Sequence, residues 1–217
     1  MLGEIPINWH VVQLTDFISV TNGYSYKGAE LQPSDAVLIT IKNFESKGGF
    51  KIEGFKEIVT IGKTKPAQHA KQFDILVAHT DLTQNADIIG NAEMLMTLGR
   101  YKDAIISLDL VKVESIAPDL SNFILFSILK NSLFKDHALG YVNGTTVLHL
   151  DKCAIPEYKF VMPKDMTILA ELNALLEPIY RKIADNMKES FQLEIFRDAL
   201  LPRLMAGELY VDDHDAK

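Results

Sequence analysis

The feature that most constrains this chain is a row of leucines and isoleucines at helical spacing near its end. With Leu169 at position a of a heptad, Leu172, Leu176, Ile179 and Ile183 fall on successive d and a positions, followed by Asn186, Ser190, Leu193, Arg197 and Leu200. The stripe begins apolar and turns partly polar. Such a seam suits a coiled-coil helix that pairs with a second helix, and an Asn buried in a seam is a device that fixes register. The same spacing also suits an amphipathic helix folded back on its own domain. Pro178 removes one helical hydrogen bond, which predicts a kink between Leu175 and Pro178. Pro202 should bend or end the helix, and Gly207 supplies a stop. Helical from about Asp165 to Leu201, the rod would be roughly 55 Å long.

Upstream the pattern is different. From Trp9 to about Tyr158, short apolar runs alternate with Gly, Asn, Asp and Pro. The runs Val37 to Ile41, Ile75 to Ala78, Ala104 to Leu108, Leu110 to Val113 and Thr146 to Leu150 read as strands. Leu120 to Asp136 is too long and continuous for a strand and reads as one helix opening at Pro118-Asp119. Gly48-Gly49 and Asn143-Gly144 mark tight turns. Strands and helices do not alternate regularly, so the expected class is α+β: a globular domain with a mixed or antiparallel sheet and few helices, then a long coiled-coil-type helix. The expected divisions are 1–160 for the domain, 161–211 for the helical region and 212–217 for a disordered tail.

Composition narrows the function classes. The chain has 217 residues, 47% of them hydrophobic, enough for one sizeable core plus an extension. Its single cysteine, Cys153, and a start without basic and apolar signal regions point to a cytoplasmic protein. No apolar run approaches the roughly 20 residues that span a bilayer, so no membrane partner is expected. The net charge of −7 argues mildly against nucleic acid. Between Lys42 and Lys71, however, seven lysines face three glutamates. That local excess suits either phosphate contacts or a solvated sheet edge.

No catalytic constellation emerges. The six histidines lack a His-Glu-x-x-His spacing, and neither a nucleophile elbow nor a P-loop is present. His79-Thr80-Asp81 reads as a polar loop after a strand. Pro118-Asp119 with Glu157-Tyr158-Lys159 formally matches a Mg²⁺-nuclease pattern, but its spacing is loose. A nuclease is the weakest of the readings. No enzyme activity, cofactor or metal is expected of this chain.

The ending Arg197-Asp198-Ala199-Leu200-Leu201-Pro202-Arg203-Leu204-Met205-Ala206-Gly207-Glu208 resembles the distal segment of specificity subunits of type I restriction-modification systems. Further landmarks lie in order along the chain: Leu2 to Trp9 with Leu14 to Phe17, Asn22-Gly23-Tyr24, Ile41 to Phe44, Asp74 to Val77 with Thr80-Asp81, and Gly144 to Leu150. The resemblance implies an α+β target recognition domain that reads one half of a split site in double-stranded DNA, and a spacer helix that packs antiparallel on a second helix. It also implies that methyltransferase subunits, and in the full complex restriction subunits, dock on that framework and carry the catalysis and S-adenosylmethionine. A complete specificity subunit has two domains and two helices, whereas this sequence has one of each. The sequence is then either a naturally half-sized subunit or a fragment carrying one half; a half-sized subunit would need a second copy, giving a two-fold homodimer. The alternative is an assembly or regulatory half-subunit without DNA affinity of its own.

Candidate DNA contacts follow from residue chemistry. Lys42, Lys47, Lys51, Lys63 and Lys65 suit phosphates, which position the protein without specifying sequence. The amides of Gln84, Asn85 and Asn143 can bond a base edge, adenine in particular. Tyr24, Tyr26 and Lys27 occupy a Gly-flanked loop, and Thr145 and Thr146 follow a turn glycine where hydroxyls and amides suit phosphate. The expected helix-pairing residues are Leu169, Leu172, Leu176, Ile179, Ile183, Asn186, Leu193 and Leu200.

Overall fold

The computed structural model describes residues 4–83 and 85–208. In chain order the strands are β1 (Trp9–Gln13), β2 (Ile18–Asn22), β3 (Ala36–Ile39), β4 (Lys56–Glu57), β5 (Ile75–Ala78), β6 (Thr80–Asp81), β7 (Ala92–Met94), β8 (Asp103–Ile106), β9 (Leu110–Ser115), β10 (Val142–Asn143), β11 (Leu148–Leu150) and β12 (Lys159–Pro163). The helices are α1 (Asn122–Leu129), α2 (Ser132–Leu139) and α3 (Thr167–Met205). The class is α+β, as the strand and helix pattern predicts.

β5 is buried at all four positions because both of its faces are covered. It lies in an antiparallel sheet of order β2-β9-β5-β7. Ile75 and Val77 point into one core with α1, α2 and the first half of α3, while Leu76 and Ala78 point into a second core. The opposite wall of that second core is the sheet β4-β3-β8, in which β3 and β8 run parallel. Val37 and Ile39 face inward, and Leu38 faces a small outer cluster with Ile58 and Ile105. This period-two division explains why β5 reads as an unbroken apolar run. β1 pairs with β12, from Trp9 opposite Pro163 to Gln13 opposite Lys159, so the segment leading into α3 is tied to the start of the described chain.

The expected single helix over Leu120 to Asp136 is in fact two. Asn131 adopts an extended backbone and its Oδ1 accepts from Leu133 N at 2.9 Å, capping α2 and ending α1 at Leu129. Nor does α1 open at Pro118-Asp119: Ser121 caps it, its Oγ accepting from Ile124 N at 3.3 Å.

α3 is 39 residues, about 58 Å at 1.5 Å per residue. Asp165 receives Thr167 N and Oγ1 at 3.0 and 2.7 Å at its start. The helix passes through both Pro178 and Pro202, so Pro202 does not end it. Its stop is Gly207 (φ 71°), where Glu208 N reaches Arg203 O and Gly207 N reaches Leu204 O, satisfying the last carbonyls. Among the described residues no helix is long and apolar enough to cross a membrane.

Candidate nucleic-acid interface and helix seam

Strand direction brings several loops to one rim. β2 and β9 are antiparallel, so Asn22 lies opposite Val111, and Tyr24 then bridges to Ser107. Ser107 N donates to Ile39 O at 2.8 Å, which places the turn after β8 beside the segment Thr40 to Asn43 after β3. On the other side of that turn, His79 N donates to Asp109 O at 2.8 Å. Beyond His79, β6 pairs with β11, Asp81 opposite Leu148, so the tip of the β10-β11 hairpin lies next to Leu82.

The loop after β6 is held by a buried carboxylate and a half-buried ammonium. Asp81 is 1% exposed; its Oδ1 accepts from Thr83 N and Oγ1 at 2.7 and 2.8 Å, and its Oδ2 from Ile88 N and Ile89 N at 2.7 and 3.1 Å. Burial alone would raise the pKa of this carboxyl, but the four hydrogen bonds outweigh it and hold the pKa below its ordinary value. From α2, the Lys135 ammonium takes the carbonyls of the same loop, Ala86 O at 3.0 Å and Ile89 O. Burial pushes the Lys135 pKa down. A carboxylate thus collects the loop's N–H groups while an ammonium collects its carbonyls. Neither role is visible in the composition of the loop, although an Asp two residues before a Thr is an Asx-turn signal.

The candidate contacts fall into separate groups on this frame. Lys42 and Lys51 line one shallow concavity with Asp81, Leu82 and Thr83. Asn85 lies exposed on the same pinned loop, and Asn143, Thr145 and Thr146 are exposed around the adjoining hairpin tip. Gln84 lies outside the described residues. A second group surrounds Tyr24: its Oη donates to Glu30 at 2.6 Å and accepts from Gly62 N at 3.2 Å, which brings the segment bearing Lys63 and Lys65 near Lys27. The Tyr24 hydroxyl is therefore an internal anchor. Glu30, buried, also accepts from Lys27 N and Ile61 N, and these bonds, Tyr24's foremost, lower its pKa to about 2. Tyr26 is half-buried, with the Lys56 ammonium 5.8 Å from its ring centre. Lys47 sits apart, in a concavity with Lys130 and Lys135. Lys27, Lys42, Lys47, Lys51, Lys63 and Lys65 enter no ion pair among the described residues, whereas Lys102, Lys112 and Lys130 all do.

Glu157, part of the formal nuclease pattern, instead accepts from Tyr141 Oη at 2.7 Å. Among the described residues no group of three or more His, Cys, Asp or Glu is placed to hold a metal ion.

α3 carries two rows of side chains about 100° apart around its axis. The inner row, Leu169, Asn173, Leu176, Tyr180, Ala184, Met187 and Phe191, is buried or half-buried. Tyr180 stacks on Phe123 of α1 (ring centres 5.7 Å apart) and shares a 3.1 Å hydrogen bond with Ser127. The Arg181 guanidinium lies 5.2 Å from the Phe73 ring centre, and Phe191 closes on Gly99, where a Cβ would come within 3.3 Å of the ring. Leu169 and Leu176, expected in the pairing seam, belong to this inner row. The outer row is exposed: Leu172, Ile179 (55%), Ile183, Asn186, Ser190, Leu193 (60%), Arg197 and Leu200.

The fold as a whole, an α+β domain followed by a long helix, is similar to that of known proteins. The S subunit of the type I restriction-modification system of M. genitalium superposes with a TM-score of 0.60 at 10% identity, over 95% of this chain and 48% of that one. Its fold is that of one half of a type I specificity subunit. In sequence the chain is similar to the specificity subunit of the type I restriction enzyme MjaIX of Methanocaldococcus jannaschii, 24% identical over 212 residues. That match takes in 97% of this chain and 46% of the relative, so the chain spans about half the length of the curated relative it matches. A chain from a structure describing complex assembly and conformational transition of the type I restriction-modification system matches at TM-score 0.50 and 13% identity, over 93% of this chain and 46% of that one. No family model matches.

Asp81 offers a direct check on the rim. Asp81→Ala strands three backbone N–H groups and one hydroxyl, and the expected loss of stability is about 2–4 kcal/mol. Hydrogen exchange should show the amides of Thr83, Ile88 and Ile89 deprotected well before those of β5. Because the folded pKa is depressed, this contribution is present above the unfolded value and disappears as pH falls through the folded one. Unchanged protection of the loop would show that Asp81 does not hold it.

Proposed function

We propose that this chain is a non-catalytic DNA-recognition subunit of a type I restriction-modification system. Its domain, through residue 160, reads one half of a bipartite duplex site with the rim; the region 161–211 is the spacer, to which methyltransferase and restriction subunits dock. The observation that carries this reading is the outer row of α3 on a chain matching half of a specificity subunit along nearly its whole length. A second copy supplies the helix that covers this row. With the two-fold axis at Asn186, midway between Leu172 and Leu200, Leu172 meets the second copy's Leu200, Ile179 meets its Leu193, and Asn186 faces itself at the one register that satisfies both amides. The unpaired rim lysines then contact phosphate, and the amides and hydroxyls on the pinned loop and hairpin face the groove.

The test is duplex binding by fluorescence anisotropy at graded salt, for the chain alone and with its methyltransferase subunits. Binding should weaken steeply with salt, and Lys42→Ala and Lys51→Ala should each lower the slope of log K against log salt by about 0.9, one phosphate contact apiece. A slope unchanged in both variants would remove this rim as the interface. The net charge of −7 favours a second reading, an assembly or regulatory half-subunit. Absence of duplex binding under both conditions would establish that reading instead.

A further inference from the structure

A single exposed leucine on a protein surface is ordinary. Leu82 differs in how it is held. It is 67% exposed and directly follows Asp81, whose buried carboxylate fixes the backbone on its far side at Thr83, Ile88 and Ile89. Lys135 fixes the carbonyls of the same loop. The side chain is thereby kept outward by bonds that do not involve it, and turning it inward would require breaking them. Its surroundings are chemically specific. Lys42 and Lys51 share its concavity on one side, and the Asp81–Leu148 pairing sets the Thr145-Thr146 hairpin tip on the other. The floor of the concavity adds Ile41, Phe44 and Ile88, with Glu53 at its edge, so Leu82 extends an apolar surface that two lysines flank, and such a surface gains nothing from phosphate. In the major groove of duplex DNA the one apolar feature on a base edge is the 5-methyl of thymine.

We infer that Leu82 is a specificity-determining residue that reads thymine through that methyl group. The inference rests on the DNA-recognition reading above and adds to it the identity of one base and the residue that senses it. Lys42 and Lys51 position the phosphates on one flank, the hairpin tip holds the other, and Leu82 reaches the base edge between them.

The experiment first selects preferred sites from a randomised duplex pool, in whichever condition supports binding. Each thymine of the selected site is then replaced singly by deoxyuridine, which removes only the methyl. One replacement should weaken binding by the unaltered protein about fourfold, the contribution of one buried methyl. Leu82→Ala should bind the thymine and uridine duplexes equally, with its melting temperature unchanged because Leu82 is exposed. A selected site without thymine, indifference to every uridine, or a uridine effect that survives in Leu82→Ala would each overturn the inference while leaving DNA recognition standing. Absence of any duplex binding would remove the recognition reading and this inference together.

Discussion

Replacing Lys112 with alanine is expected to destabilise the fold by about 3–5 kcal/mol, the cost of leaving a buried charge without its partner. For a chain of this size the melting temperature should fall by roughly 10 °C. Lys112 sits on β9, inside the sheet, with its side chain 5% exposed. Its ammonium lies 3.4 Å from the Asp74 carboxylate and 3.3 Å from Glu114, and donates to His69 O at 3.1 Å. It thus ties β9 to the turn that leads into β5. Asp74 is 1% exposed, and burial raises its pKa despite the opposing pull of the Lys71 N–H and of Lys112. Folded Asp74 therefore binds its proton more tightly than the unfolded chain does. Its own contribution favours folding at low pH and declines as pH rises through the folded value. Removing the ammonium moves that value higher still, so the deficit of Lys112→Ala should be small below about pH 4 and fully developed at pH 8. The double variant Lys112→Met with Asp74→Asn should recover most of the loss, since it removes both charges. Chemical denaturation at the two pH values measures all of this. A cost under about 1 kcal/mol, or one independent of pH, would show that the pair contributes little.

Lys112 also marks where the sequence stops being legible. In Leu110-Val111-Lys112-Val113 a lysine between valines reads as the solvent side of a half-buried strand. That face is covered here, because the β4-β3-β8 sheet packs over it, and the covering strands are remote in sequence. β5 and the long helix were readable because their signals are local and continuous. The break between α1 and α2 was not, since an apolar run from Leu120 onward outweighs one capping Asn131 in any pattern count. The loop after β6 shows the same limit at the candidate site: Asp81 and Lys135 meet only when α2 folds against it. In α3 the error is one of period. A heptad repeat of 3.5 drifts about 20° per heptad against a straight helix of 3.6. Leu169 and Leu176 therefore fall on the row that faces the domain while Ile179, Leu193 and Leu200, counted in the same seam, face away from it. The inner row is also masked by its own composition, because Asn173, Tyr180 and Ala184 dilute its apolar character.

Placing a carboxylate at Ile179 should abolish self-association. In a two-fold antiparallel pair each substitution appears twice, opposite Leu193 of the other copy. Each isoleucine withdrawn from the interface forfeits about 1.5–3 kcal/mol, and each buried carboxylate adds a desolvation cost. Together these weaken the dimer by at least about a thousandfold. Ile179 is 55% exposed, so the fold of the single copy should be unaffected, with melting behaviour within about 0.5 kcal/mol of the unaltered chain. Sedimentation across a wide concentration range separates the outcomes: dimer for the unaltered chain, monomer for Ile179→Glu. Asn186→Leu provides the opposite variant. Removing the self-facing amide should tighten association while loosening register, because a leucine is satisfied at several offsets where the asparagine is satisfied at one. A dimer that survives Ile179→Glu unchanged would assign self-association to some other surface and leave the outer row of α3 for a different helix. Loss of the dimer in Ile179→Glu with tighter pairing in Asn186→Leu would place the two recognition rims at opposite ends of one spacer, facing inverted half-sites.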